Sequence, residues 1–246
     1  MHRRTFLAGA GLSGSLGTLH YTTRDPAEAL EVRFWLSEQA SAYRSIAETI
    51  TAYLEWALAY DFWRVSVSYG GVVSVEDEQG AHPVQSGRWP TRLGAGVAGV
   101  GSAEPARDVN LLVTDGSMRR APTGYAMPHV ASVGGARHLE KLEPPDWGTN
   151  GERPYDRPNF SMQVLLHEVG HTLGLRHEHG MVYRSGARTV ATPMVSAYAW
   201  DSDFHAEESL CGEPYERRFA GKRAISMRFS DCARSRLEDY SGGLIP

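Results

Sequence analysis

The stretch HEVGHTLGLRHEH, residues 167–179, constrains the fold more than any other part of the chain. His167 and His171 are four residues apart, so a helix places both imidazoles on one face. A continuous helix cannot return a third histidine to the same point, because each residue adds 1.5 Å of rise. Gly174 is the residue type that accepts the left-handed backbone of a sharp turn. The pattern therefore predicts a helix, a break at Gly174 and a return at His177.

Three convergent imidazoles indicate a metal site. Neutral histidines suit zinc, and a set of three leaves a fourth position open, as in catalytic rather than structural zinc sites. Glu168 lies about 100° around the helix from His167, so it is placed to act as a general base on a water held at the metal. His179 is expected to project away from the ion. The competing interpretation is a helix that carries unrelated histidines.

The stretch from His167 to His177 resembles the zinc-binding signature of the metzincin metalloendopeptidases. That clan also has a tight turn with a methionine beneath the metal, and Met194 in TPMVSAY, residues 192–198, fits this role. The alternative for Met194 is an ordinary core methionine. Tyr198 is a possible oxyanion or substrate contact, with a packed aromatic as the alternative. Glu178 is similar to a residue of the astacin branch, but the spacing to Met194 is shorter, so no subfamily is assigned.

The resemblance implies an α+β fold of the metzincin type: a twisted mixed sheet, a long helix, an active-site helix and a small irregular C-terminal part that ends in a helix. Apolar periodicity predicts the long helix over residues 42–60 and the last helix over 231–240. Ser161 is the expected N-cap of the motif helix. Strands are expected at 31–36, 64–75, 108–114 and 129–133, and the last of these is the candidate edge strand for substrate. Residues 76–106 are expected to form a loop.

The N-terminal residues form a separate segment. Arg3 and Arg4, followed by Phe6 and Leu7, resemble a twin-arginine export signal, with a disordered basic N-terminus as the alternative. Residues 1–25 are therefore set apart from one catalytic domain over 26–246, with an N-terminal part at about 26–176 and a C-terminal part at about 177–246. Cys211 and Cys232 form a single disulfide or remain two separate thiols.

Charge and hydropathy limit the possible partners. The formal net charge of −4 gives no indication of a nucleic-acid partner, and no segment is apolar enough for a stable membrane span. The expected function is that of an exported zinc-dependent endopeptidase acting on a protein or peptide substrate. The alternatives are a non-catalytic exported zinc-binding protein on a metzincin scaffold and a zinc hydrolase of a non-peptide substrate. The sequence leaves the oligomeric state open.

Overall fold

A computed structural model describes residues 26–119, 121–146, 150–200 and 221–243. The predicted export signal at 1–25 lies outside these residues, as does Cys211. The sequence also has an acidic run at residues 201–208, a pattern typical of a solvated loop and less often of a calcium site, and this run lies outside the described residues. Cys232 is disulfide-bonded. Among the described helices, none combines the length and the apolar character needed to cross a bilayer.

The larger sheet has five strands in the order β2-β1-β3-β5-β4. Its strands are β1 (Ala29–Ser37), β2 (Arg64–Val73), β3 (Val109–Val113), β4 (Gly124–Met127) and β5 (Val130–Val133). Neighbouring strands are parallel except for β4, which pairs antiparallel with β5 in the register Gly124 to Val133. The predicted mixed sheet is confirmed, and β4 is one of its two edges.

The assignment of residues 129–133 as the edge strand is wrong. All four residues of β5 are buried, and the strand is paired on both sides, with β3 and β4. A strand that is buried on both faces shows no polar alternation, as expected for a central position. The edge belongs to β4, whose residues alternate between half-buried and exposed.

Helices cover both faces of this sheet. They are α1 (Ile46–Ala57), α2 (His82–Gln85), α3 (Arg88–Val97), α4 (Ala136–Leu139), α5 (Arg157–Thr172) and, near the C-terminus, α6 (Asp231–Glu238). Every second residue of β1 points to the face of the sheet that packs against α1 and α5. These residues are Leu30, Val32, Phe34 and Leu36. Trp35 points to the other face and packs against Trp89 of α3, with ring centroids 5.0 Å apart.

The loop expected over residues 76–106 contains α2 and α3. Glycine and proline made this segment look irregular, but Pro83 and Pro90 lie in the first turns of their helices, where proline is tolerated. Trp89 and Leu93, four residues apart, are both buried. Their burial against the sheet outweighs the low helix propensity of the glycines in α3.

Helix α5 begins earlier than predicted. Its N-cap is Asp156, whose carboxylate accepts the backbone N–H of Asn159 at 2.9 Å, and not Ser161. Ser161 lies inside the helix and donates to the carbonyl of Arg157. The extra turn lengthens the helix at its N-terminal end, the end far from the histidines, and it carries Arg157 and Phe160.

The C-terminal part is more regular than predicted. A second sheet has the order β6-β9-β8-β7, with strands β6 (Glu152–Pro154), β7 (Val182–Ser185), β8 (Arg188–Ala191) and β9 (Lys222–Ser226). It joins strands from before and after α5, because β6 pairs with β9. The final helix, predicted over 231–240, is confirmed as α6, and Ser230 caps it by accepting from Ala233 at 3.2 Å.

Candidate metal centre

Helix α5 carries His167, Glu168 and His171 into the interior of the molecule. His167 and Glu168 are only 5% and 7% exposed. The helix ends at Thr172, and Gly174 has a φ of +83°, so the predicted break is confirmed. Leu175 returns to the helix by donating its backbone N–H to the carbonyl of Gly170 at 2.9 Å. This turn sends the following residues back toward the open face of α5.

The three motif histidines meet at one point. The Nε2 atoms of His167 and His171 are 3.0 Å apart, and those of His171 and His177 are 3.2 Å apart. A tetrahedral ion with zinc–nitrogen bonds of 2.0–2.1 Å separates its ligand atoms by about 3.3 Å. Among the described residues, this is the one group of three or more metal-ligating side chains that converges in this way. His129 and His138 are not part of it.

Backbone carbonyls fix the tautomers of the first two histidines. Nδ1 of His167 lies 2.8 Å from the carbonyl oxygen of Pro193, and Nδ1 of His171 lies 2.8 Å from that of Leu175. A carbonyl oxygen only accepts, so each Nδ1 carries the hydrogen. Each neutral ring therefore has a bare lone pair at Nε2, and two such lone pairs face each other at 3.0 Å. That arrangement fits a shared cation and is the usual way in which proteins orient metal-binding histidines.

Burial keeps these imidazoles neutral. Desolvation is the main cause that lowers the pKa of His167 to about 3 and the pKa of His177 to about 4. The pKa of His171 is lowered by the same effect. Neutral imidazole is the form that binds a metal ion. The donor set of three neutral nitrogens therefore fits zinc.

The fourth histidine of the stretch shapes the loop that presents His177. His179 is buried, and its Nδ1 accepts the backbone N–H of Arg176 at 2.8 Å. Its own carbonyl accepts a bond from the hydroxyl of Ser230. His179 is thus outside the group of three ligands, as predicted. Glu178 forms only a loose ion pair with Arg176, at 4.0 Å.

Met194 is buried against Gly170 of α5. It is 1% exposed, and a Cβ added at Gly170 would lie 2.4 Å from its sulfur atom. The tight turn around it is closed by the backbone N–H groups of Val195 and Ser196, which both donate to the carbonyl of Thr192. The same turn supplies the Pro193 carbonyl to His167. The structure thus places Met194 against Gly170, in the turn that also contacts His167.

Glu168 lies beside the histidines at the wall of a cleft of about 590 Å³. Burial raises the pKa of its carboxyl from 4.5 to about 8. Gly124 of β4 packs directly on it, because a Cβ at position 124 would lie 2.7 Å from both Cγ and Oε1 of Glu168. The edge strand and the predicted base are therefore in contact.

Tyr198 borders the same cleft on the other side of the histidines. Its ring centroid is 4.9 Å from that of His177 and 6.0 Å from that of His167. The side chain is 41% exposed, so it is not a packed core aromatic. Tyr198 therefore lines the cleft as a partly exposed side chain.

Several residues of the site were not found from sequence. The carbonyls of Pro193 and Leu175 carry no side-chain signal, and only the turns around them bring them to the histidines. Gly124 gave no sequence signal, because GYAM shows no alternation of apolar and charged residues. The start of α5 was signalled by Asp156 two residues before a proline, a common pattern at helix N-termini.

No model of a known protein family matches this chain, and no curated protein sequence shows significant similarity to it. The resemblance to metzincins therefore rests on the motif and on the geometry described above.

Proposed function

We propose that this protein is a zinc-dependent endopeptidase of the metzincin type. The observation that carries the proposal is the pair of bare Nε2 lone pairs on His167 and His171, 3.0 Å apart, whose tautomers are fixed by backbone carbonyls. His177 completes the ligand set. If the histidines were unrelated, two acceptor nitrogens facing each other in the interior would be unfavourable, because buried polar groups are normally hydrogen-bonded.

When bound, zinc supplies Lewis-acid chemistry: it lowers the pKa of water toward about 7 and polarises a carbonyl. Glu168 accepts a proton from the attacking water and returns it to the leaving amine as the peptide bond breaks. Its burial raises its affinity for a proton, which favours the step in which it accepts the proton from water. Tyr198 is proposed to donate a hydrogen bond to the carbonyl oxygen of the substrate.

The cleft favours this proposal over a non-catalytic zinc-binding protein. A protein that only holds zinc needs no carboxyl group beside the ligands, whereas Glu168 lines an open cleft next to His167. A peptide bond as the scissile bond is proposed from the His167–His177 motif, and export by the twin-arginine route is proposed from Arg3, Arg4, Phe6 and Leu7.

The decisive experiment combines metal analysis with a peptidase assay on the purified protein. We expect about one zinc per chain, cleavage of quenched peptides, and loss of that cleavage with a chelator. Glu168→Gln is expected to keep the zinc and to lose at least about 10²-fold in rate. Full cleavage by this variant would contradict the role of Glu168, and zinc binding without cleavage of any peptide or protein would favour the alternatives.

A further inference from the structure

One wall of the cleft is formed by a row of side chains along one face of α5. Arg157, Phe160, Val164 and Glu168 are spaced by three, four and four residues, which puts them on one helix face. All four line the cleft. The row begins with a cation, continues with two apolar side chains and ends with the proposed base.

The cleft is long enough to hold several residues of a peptide. Arg157 and Glu168 are eleven positions apart, and at 1.5 Å of rise per residue their backbones are about 16 Å apart. An extended peptide advances about 3.3 Å per residue, so this length corresponds to at most about five residues.

The end of the cleft far from Glu168 is positively charged. Arg119 and Arg157 both line it. Arg157 is held in place by a bond from its guanidinium to the carbonyl of Met118 at 2.5 Å. A guanidinium has five N–H donors, so this one bond leaves others for a ligand.

Carboxylates of the described residues do not neutralise these two arginines. Arg88, Arg137 and Arg234 form close ion pairs, but within the described residues neither Arg119 nor Arg157 has a carboxylate within 4.0 Å. The nearby Asp156 also lines the cleft, and its two oxygens accept bonds from the backbone and side-chain nitrogens of Asn159.

We infer that the cleft selects a peptide segment that is apolar near the scissile bond and carries a carboxylate within about five residues of it. The carboxylate would bind Arg119 and Arg157, and the apolar side chains would lie on Phe160 and Val164. This inference rests on the proposed function, because it takes Glu168 as the reacting end. The carboxylate belongs either to an aspartate or glutamate side chain or to the C-terminus of a short leaving peptide.

The test measures binding, so that it does not depend on turnover. The Glu168→Gln protein, loaded with zinc, is titrated into fluorescein-labelled apolar peptides, and Kd is read from anisotropy. One set of peptides places Glu or Gln at each of five positions on either side of the central bond. A second set ends in a free acid or an amide. We expect at least one matched pair to differ by about tenfold in favour of the carboxylate.

Substitutions of the two arginines test whether they cause the preference for a carboxylate. Arg119→Gln and Arg157→Gln are expected to reduce it, and the double variant to abolish it. Arg157→Lys keeps the charge and should retain part of the preference, which separates loss of charge from loss of the bond to Met118. Arg64→Gln removes the same charge from the opposite edge strand β2 and should leave the preference unchanged.

Equal Kd values within every matched pair would overturn the inference, as would a preference that survives in the double variant. Failure of the proposed function looks different: the wild-type protein would keep the carboxylate preference in binding yet cleave none of the peptides. The two peptide sets also identify which carboxylate is recognised. A difference within the Glu and Gln pairs indicates a side chain, and a difference within the acid and amide pairs indicates the C-terminus of the peptide.

Discussion

Substituting Gly124 by alanine tests whether the edge strand positions the proposed base. The new Cβ would lie 2.7 Å from Cγ and Oε1 of Glu168 and 3.0 Å from its Cδ. Optimal carbon–carbon contacts are 3.5–4.0 Å, so the overlap is about 1 Å. The Glu168 side chain is more flexible than the strand backbone. We therefore expect its carboxyl group to move by about 1 Å toward the cleft. A misplacement of 1 Å at a reacting group costs about 10²-fold in rate.

The Gly124→Ala variant is assayed for zinc content, stability and peptide cleavage. Zinc content should stay at the wild-type level, because the three atoms nearest to the added Cβ all belong to Glu168 and none to a histidine. The free energy of unfolding should fall by only about 1–2 kcal/mol, since a side chain can yield. The loss should appear in kcat more than in KM. Gly94→Ala is the matched control, because an added Cβ there meets no atom within 4 Å.

Two results would refute this reasoning. A Gly124→Ala protein with wild-type kcat would show that the contact does not position Glu168. A protein that loses zinc in proportion to its activity would show that the substitution acts through the ligands or the fold. An unchanged kcat in Gly94→Ala is required for either conclusion to hold.

Three further predictions follow from the same geometry. His177→Ala should bind zinc more weakly by at least tenfold while keeping its secondary structure, and atomic emission after dialysis would measure this. In the metal-free chain, the raised pKa of Glu168 should make its own contribution to stability fall as pH rises from 4.5 to about 8, because the folded state holds the proton more tightly than the unfolded state. The lowered pKa values of the histidines give a slope of the opposite sign, so the measured quantity is the free energy of unfolding of the wild type minus that of Glu168→Gln, which should fall over that pH range. Gly170→Ala should destabilise the fold by about 1–3 kcal/mol, because its Cβ would lie 2.4 Å from the sulfur of Met194; a thermal melt with an unchanged Tm would contradict this.

The geometry of the histidine stretch was predictable because its spacing restricts the local backbone strongly. His167 and His171 require a helix, and Gly174 permits the turn that brings back His177. Such constraints are local, and the turn at φ +83° satisfies them. The rest of the site depends on contacts between distant parts of the chain. Gly124 and Glu168 are 44 positions apart, and no local pattern in either segment indicates that they touch.

The errors in the prediction of the fold have a common origin. Whether a strand lies at an edge depends on which strands flank it, so HVASV was taken for the edge although GYAM is the edge. The helices at 82–85 and 88–97 formed because Trp89 and Leu93 found an apolar face on the sheet. Propensity is a weak prior that such burial overrides. The three strands after His177 were missed because they are short and pair partly with a segment before α5.

The histidine motif alone does not orient its own ligands. His167 takes its tautomer from the turn that contains Met194, and His171 takes its tautomer from the turn after Gly174. The loop that presents His177 is closed by His179, whose carbonyl is in turn bonded by Ser230 at the start of α6. A metal ion at this site would therefore draw together α5, the methionine turn and the C-terminal helix. Since binding to the folded state alone stabilises that state, zinc should raise the stability of the C-terminal part together with that of the motif helix.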